Sequence, residues 1–174
     1  PLKLGRAVMF PIVKATFERK DTLTGTGSSE YPTHQFTEWI KIWTKDYRRS
    51  IDYLETRKDI DIKNLTYYGV SWGGQMGGII PAVEDRLKVC ILINGGFRGQ
   101  AFPEANQINY VPRIKIPVLM LNGKYDMTFP YKTTVEPFYN LLGTPQKAKR
   151  LIVYDTDHYV PQTETIKEVS KFLD

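Results

Sequence analysis

Three residue types able to carry out nucleophilic acyl transfer recur at telling places in the chain: Ser71, Asp126 and His158. Ser71 lies in Gly69-Val70-Ser71-Trp72-Gly73-Gly74, directly after the apolar stretch Leu65–Val70 and before Gly77-Gly78-Ile79-Ile80. That pattern reads as a strand turning sharply into a helix. The serine hydroxyl would stand clear of the backbone, with glycines two before and two after it admitting close neighbours. A serine hydroxyl is too weak an acid to attack an ester unaided, so an imidazole must take its proton. A carboxylate on the far ring nitrogen must then fix the tautomer and stabilise the imidazolium. His158 and Asp126 fall in loops that follow apolar strands, and the order serine, acid, histidine is the one expected on a parallel sheet. Asp155 and Asp157 are the competing acids. Asp126 is favoured because immediate sequence neighbours seldom reach back to orient the same ring. His34, in a loop before a helix, is a weaker candidate base.

These loops need elements to hold them. Apolar runs bounded by turn residues predict strands at 6–13 (ending near Phe10, ahead of Pro11), 65–70, 87–94, 116–122 and 149–154. Three- and four-residue apolar spacing predicts a helix over 36–57, with Trp39, Ile40, Trp43, Tyr47, Ile51 and Leu54 on one face. Further helices are expected after Ser71, stopping at Pro81 or soon after, over 131–142 with an interruption or bend around Pro137, and over 163–173. Residues 21–30 read as a loop and 95–113 as irregular chain. Alternation of strand and helix at this spacing predicts an α/β fold with a mostly parallel sheet and helices on both faces. Sites in such sheets form at the carboxyl ends of the strands, where all three candidate loops lie.

Composition narrows the possibilities. At 174 residues with 41% hydrophobic content, the chain has enough core for a single domain over 1–174. The net charge of +5 comes from scattered basic residues, without the interleaved aromatics of a nucleic-acid surface, so no nucleic-acid partner is expected. Cys90 lies in an apolar strand and reads as a small hydrophobe. Two histidines without a cysteine or histidine cluster predict no metal and no cofactor. No apolar run is long enough to span a membrane and no signal peptide is visible, so the default location is cytoplasmic. The chain opens on Pro1 rather than Met, which raises the expectation of missing upstream sequence.

Together, Gly69 to Gly74, Pro117-Val118-Leu119-Met120-Leu121-Asn122-Gly123-Lys124-Tyr125-Asp126 and Asp155-Thr156-Asp157-His158 resemble the α/β-hydrolases of the dienelactone hydrolase and prolyl oligopeptidase-like esterase group. The resemblance runs from about Gly5 to the C-terminus, and 51–61 resembles the approach to the serine turn in that group. It implies Ser71 as nucleophile, Asp126 as orienting acid, His158 as general base and the Trp72 amide as one oxyanion donor. Dienelactone hydrolases proper carry cysteine at the nucleophile position, so Ser71 favours an ordinary ester. In the group, further strands and the second oxyanion amide precede the strand matching 6–13, and another strand lies between it and 65–70. The chain is therefore expected to be an N-terminally truncated α/β-hydrolase fold, with additional domains upstream or a homo-oligomer as possible company. The expected function is hydrolysis of a small carboxylic ester through an acyl-enzyme, with Phe97, Tyr125, Phe129 and Tyr131 lining an acyl pocket. The alternative is a non-catalytic, hydrolase-like binding or regulatory module of a larger protein.

Overall fold

The structure is a computed structural model that describes residues 5–20, 33–99 and 101–174. The chain divides into two compact units, one over 1–62 and 99–106, the other over 63–98 and 107–174.

The first unit is built on α1, His34–Glu55. Thr33 caps it, accepting a hydrogen bond from the Phe36 amide at 3.0 Å, which satisfies one of the amides a helix start leaves open. Phe36, Trp39, Ile40, Trp43 and Ile51 are buried along one face, as their spacing requires. Trp43 donates its indole N–H to the Lys14 carbonyl at 2.9 Å. Asp46 accepts from the Lys14 amide at 2.8 Å and from Arg19 at 2.8 Å, so residues 14–19 are tied to the helix.

The strand expected at 6–13 does not form. Val8 is 64% exposed and Phe10 is 74% exposed, the reverse of a buried strand. A strand exists only by pairing, and no neighbouring strand is present for this segment among the described residues. Near its end the backbone is met locally instead of by a ladder, Ile12 O accepting from Arg19 at 2.9 Å and Val13 O from the Thr16 amide at 3.2 Å. An apolar run marks a strand only when the rest of the sheet is there to receive it.

The second unit holds a parallel sheet of β1 (Leu65–Val70), β2 (Leu87–Ile93), β3 (Val118–Gly123) and β4 (Lys149–Tyr154), ordered β1-β2-β3-β4. Pairing is parallel throughout, with Val70 opposite Ile93, Ile93 opposite Leu121, and Gly123 opposite Tyr154. The strand ends that carry the loops therefore lie side by side. Between the strands run α2 (Trp72–Met76), α3 (Ile80–Val83) and α4 (Glu136–Leu141), with α5 (Gln162–Leu173) last. On one face Ile91, Ile93, Leu119 and Leu121 pack with Val169 of α5, and Phe172 and Leu173 close over them. On the other, Leu92 meets Gly77 at the end of α2, and Phe138 of α4 meets Gly78. Covering on both faces explains why β2 and β3 are apolar at nearly every position.

Two helices differ from expectation. Pro81 does not end the helix after Ser71. That helix ends at Met76, and Pro81 lies in the first turn of α3, where its missing N–H costs nothing. The helix expected at 131–142 is a π-helical turn over Tyr131–Val135 leading into α4, with Pro137 in the first turn of the latter. The bend is absorbed as a wider turn rather than a break.

Candidate active site

Ser71 adopts φ 69° and ψ −102°, a conformation that side-chain-bearing residues avoid and one that costs on the order of 1–3 kcal/mol. The surroundings hold it there. Its amide donates to the Ile93 carbonyl at 2.8 Å, and its carbonyl accepts from the Gln75 amide at 2.8 Å. Gly69 is needed sterically, since a Cβ there would lie 2.3 Å from the Gly73 carbonyl oxygen. Tyr67 donates its hydroxyl to that same oxygen at 2.7 Å, pinning the start of α2. The glycine two after Ser71 has a different status from the one expected: a Cβ on Gly73 would meet nothing within 4 Å. The close approach belongs to Gly74, where a Cβ would lie 2.8 Å from Gly95 Cα.

Asp126 and His158 come from the loops after β3 and β4, which are laced together. The Lys124 amide donates to the Tyr154 carbonyl at 2.8 Å and the Tyr125 amide to the Thr156 carbonyl at 2.9 Å. Asp126 is buried, and both its oxygens are used. Oδ1 accepts from the Thr128 amide at 2.7 Å and the Phe129 amide at 3.0 Å. Oδ2 lies 2.8 Å from His158 Nδ1. The other ring nitrogen, Nε2, lies 2.8 Å from Ser71 Oγ. A carboxylate can only accept, so Nδ1 is the nitrogen that donates to Asp126, and in the neutral ring this leaves the Nε2 lone pair facing the serine hydroxyl. The structure thus brings Ser71, His158 and Asp126 into one hydrogen-bonded chain. A buried carboxylate without partners would be costly, and the two amides with the imidazole offset that cost. Phe129 braces the imidazole from the side, with ring centroids 6.1 Å apart and planes at 21°.

The competing groups are engaged elsewhere. Asp155 pairs with Lys124 at 3.1 Å, and Asp157 accepts from the Tyr159 amide at 2.9 Å. His34 belongs to the first unit, where its ring lies 4.7 Å from that of Phe102. Cys90 is fully buried, and burial pushes its thiol pKa well up, away from thiolate chemistry. Trp72 follows Ser71 as the first residue of α2 and is 40% exposed.

The four expected pocket residues fare differently. Phe129 is fully buried beneath His158, so it is a support for the imidazole and not a wall of an open pocket. Phe97 packs on Phe138, with centroids 5.1 Å apart. Tyr125 is 59% exposed under the Lys124 ammonium, and Tyr131 donates its hydroxyl to Glu136 at 3.2 Å. Tyr67, Gly95, Gly123 and Gln107 also hold the loops of the site together, and the sequence does not mark them for it. Tyr67 looks like one more core residue of β1, and the remaining three show their purpose only when distant segments meet.

Among the described residues no His, Cys, Asp or Glu cluster is arranged to hold a metal, and no helix is long and apolar enough to cross a membrane. No family model and no curated protein matches the chain. Solved structures do. A cold-adapted esterase from an Arctic intertidal metagenomic library superposes with TM-score 0.62 at 22% identity, covering 82% of this chain and 66% of that one. A candidate dienelactone hydrolase from Klebsiella pneumoniae gives 0.66 at 20% identity, covering 77% and 61%. Acetyl xylan esterase 1 from a Thermoanaerobacterium species gives 0.66 at 17% identity, covering 88% and 58%. The chain therefore shares the fold of these hydrolases, an α/β fold around a parallel sheet, and it spans at most about two-thirds of the length of the three proteins.

Proposed function

We propose that the chain is a serine hydrolase that cleaves a small carboxylic ester through an acyl-enzyme on Ser71. The observation that carries this reading is the unbroken hydrogen-bonded chain from Ser71 Oγ to His158 Nε2, and from Nδ1 to Asp126 Oδ2, each link 2.8 Å long. The esterases among the structurally similar proteins are in keeping with it.

In this reading Ser71 Oγ attacks the ester carbonyl as His158 Nε2 takes its proton. Asp126 Oδ2 faces the resulting imidazolium across the Nδ1–H bond, and its other oxygen is anchored by two amides, so the ring cannot turn away. The carbonyl oxygen becomes an oxyanion, and the Trp72 amide is one donor to it. His158 returns the proton to the departing alcohol. It then activates water to release the acid and restore Ser71.

The test is labelling with a fluorophosphonate, read by peptide mass, alongside hydrolysis of 4-nitrophenyl acetate. The reading expects one adduct, on Ser71, and none on Ser71→Ala. Absence of the Ser71 adduct together with absence of turnover would overturn it.

A further inference from the structure

The turn that holds Ser71 is closed by a side chain from the strand before it. Tyr67 lies in β1 and is 4% exposed. Its hydroxyl donates to the Gly73 carbonyl at 2.7 Å, so the side chain starts before Ser71 and ends after it. Ser71 sits inside this bracket with φ 69°, a backbone conformation that a residue with a Cβ keeps only when its surroundings impose it.

Two glycines shape the slot for the Tyr67 ring. A Cβ on Gly69 would lie 2.8 Å from Tyr67 Cε1, and one on Gly77 would lie 3.1 Å from the same atom. The ring is thus packed between Gly69 of β1 and the residue that ends α2, and this fixes where its hydroxyl points.

The helix needs such an anchor. Trp72–Met76 is five residues long, too short to be stable on its own hydrogen bonds. The Gln75 amide donates to the Ser71 carbonyl at 2.8 Å and the Gly77 amide to the Gly73 carbonyl at 2.9 Å. Those bonds close its turns but do not attach them to the sheet. The Gly73 carbonyl has a second lone pair, and the Tyr67 hydroxyl fills it from β1. On the other side the Ser71 amide donates to the Ile93 carbonyl of β2 at 2.8 Å. Ser71 is therefore held at its own amide and again at Gly73. Only Trp72 lies between, so a shift of the Gly73 carbonyl is passed back to Ser71. Its Oγ must keep its 2.8 Å contact with His158 Nε2, and small misplacements of reacting atoms slow chemistry steeply.

We propose that Tyr67 is a positioning residue, its hydroxyl acting through the Gly73 carbonyl to keep Ser71 Oγ within reach of His158 Nε2. This inference rests on the ester-hydrolase reading and adds to it a residue that touches neither substrate nor reacting atoms. Its loss should therefore fall on kcat and leave ester binding in place.

Tyr67→Phe removes one oxygen and leaves the ring in its slot, and the Gly73 carbonyl keeps the Gly77 amide. Tyr139→Phe is the matched control. That hydroxyl also donates to a backbone carbonyl, Lys149 O at 3.2 Å, at the opposite end of β4 from the His158 loop. Three quantities are measured for the wild type and both variants: kcat and KM for 4-nitrophenyl acetate, the rate of fluorophosphonate labelling at Ser71, and the melting temperature. Rates are taken well below the lowest melting temperature. Tyr67→Phe should lower kcat and the labelling rate together by about tenfold. KM should stay within about twofold. Tyr139→Phe should lower only the melting temperature. Wild-type turnover with kcat unchanged in Tyr67→Phe overturns the role of Tyr67 and leaves the hydrolase reading standing. Equal losses of kcat in the two variants would mean general loosening and overturn it as well. No turnover and no adduct on Ser71 in the wild type overturns both readings.

Discussion

Gly123 and Asp157 are packed so tightly that a Cβ on the first would lie 1.7 Å from the backbone carbonyl oxygen of the second. This contact fixes the loop carrying Asp126 against the loop carrying His158. Gly123→Ala leaves neither backbone room to move without breaking the links from Lys124 to Tyr154 and from Tyr125 to Thr156. The expected cost is at least about 1–3 kcal/mol of stability. Ester turnover should fall further than stability alone explains. Thermal melting and initial rates on the same preparation check this.

The two glycines after Ser71 should behave oppositely. Gly74→Ala drives a methyl group into Gly95, whereas Gly73→Ala places one in open space. Gly74→Ala is expected to lower the melting temperature. Gly73→Ala should be neutral or stabilising by up to about 1 kcal/mol, because it removes backbone freedom from a helical position. Melting curves of the pair decide it.

Asp126→Asn tests the tautomer argument. The amides of Thr128 and Phe129 require an acceptor, so the new side chain would turn its carbonyl oxygen toward them and its NH2 toward His158 Nδ1. The proton would then move to Nε2, which could no longer accept from Ser71. A kcat loss of about 10⁴-fold is expected, against on the order of 10⁶-fold for Ser71→Ala. Steady-state kinetics with 4-nitrophenyl acetate measures both.

Cys90 should be silent in the native chain. It is fully buried, and desolvation raises its thiol pKa, so the reactive thiolate is scarce. A chromogenic disulfide reagent at pH 8 is expected to find no thiol in the folded chain and one per chain in denaturant. Prompt reaction without denaturant would show that β2 opens readily.

Much of this organisation is legible in the residues themselves. The four strands of the sheet are apolar runs closed by turn residues, and double-sided burial makes them hard to mistake. Ser71, Asp126 and His158 stand out because each follows one of those strands. Segment 6–13 misleads for the same reason: its hydrophobicity resembles that of β2, but pairing is a property of two segments and composition reports only one. The buried position of Phe129 was not legible either, since aromatics near a site read equally well as wall or as foundation. Gly123 appears ordinary until Asp157, far along the chain, is placed against it. Such requirements are set by tertiary approach, and local pattern does not encode them.

The sheet is laid down in chain order, with the serine after the first strand and the histidine after the fourth. A ribosome releasing this polypeptide would therefore expose the Ser71 hydroxyl long before the His158 imidazole could reach it. Until residue 158 has emerged and β4 has docked, His158 cannot bond to Ser71, so on the proposed hydrolase reading the nascent protein carries an inert alcohol.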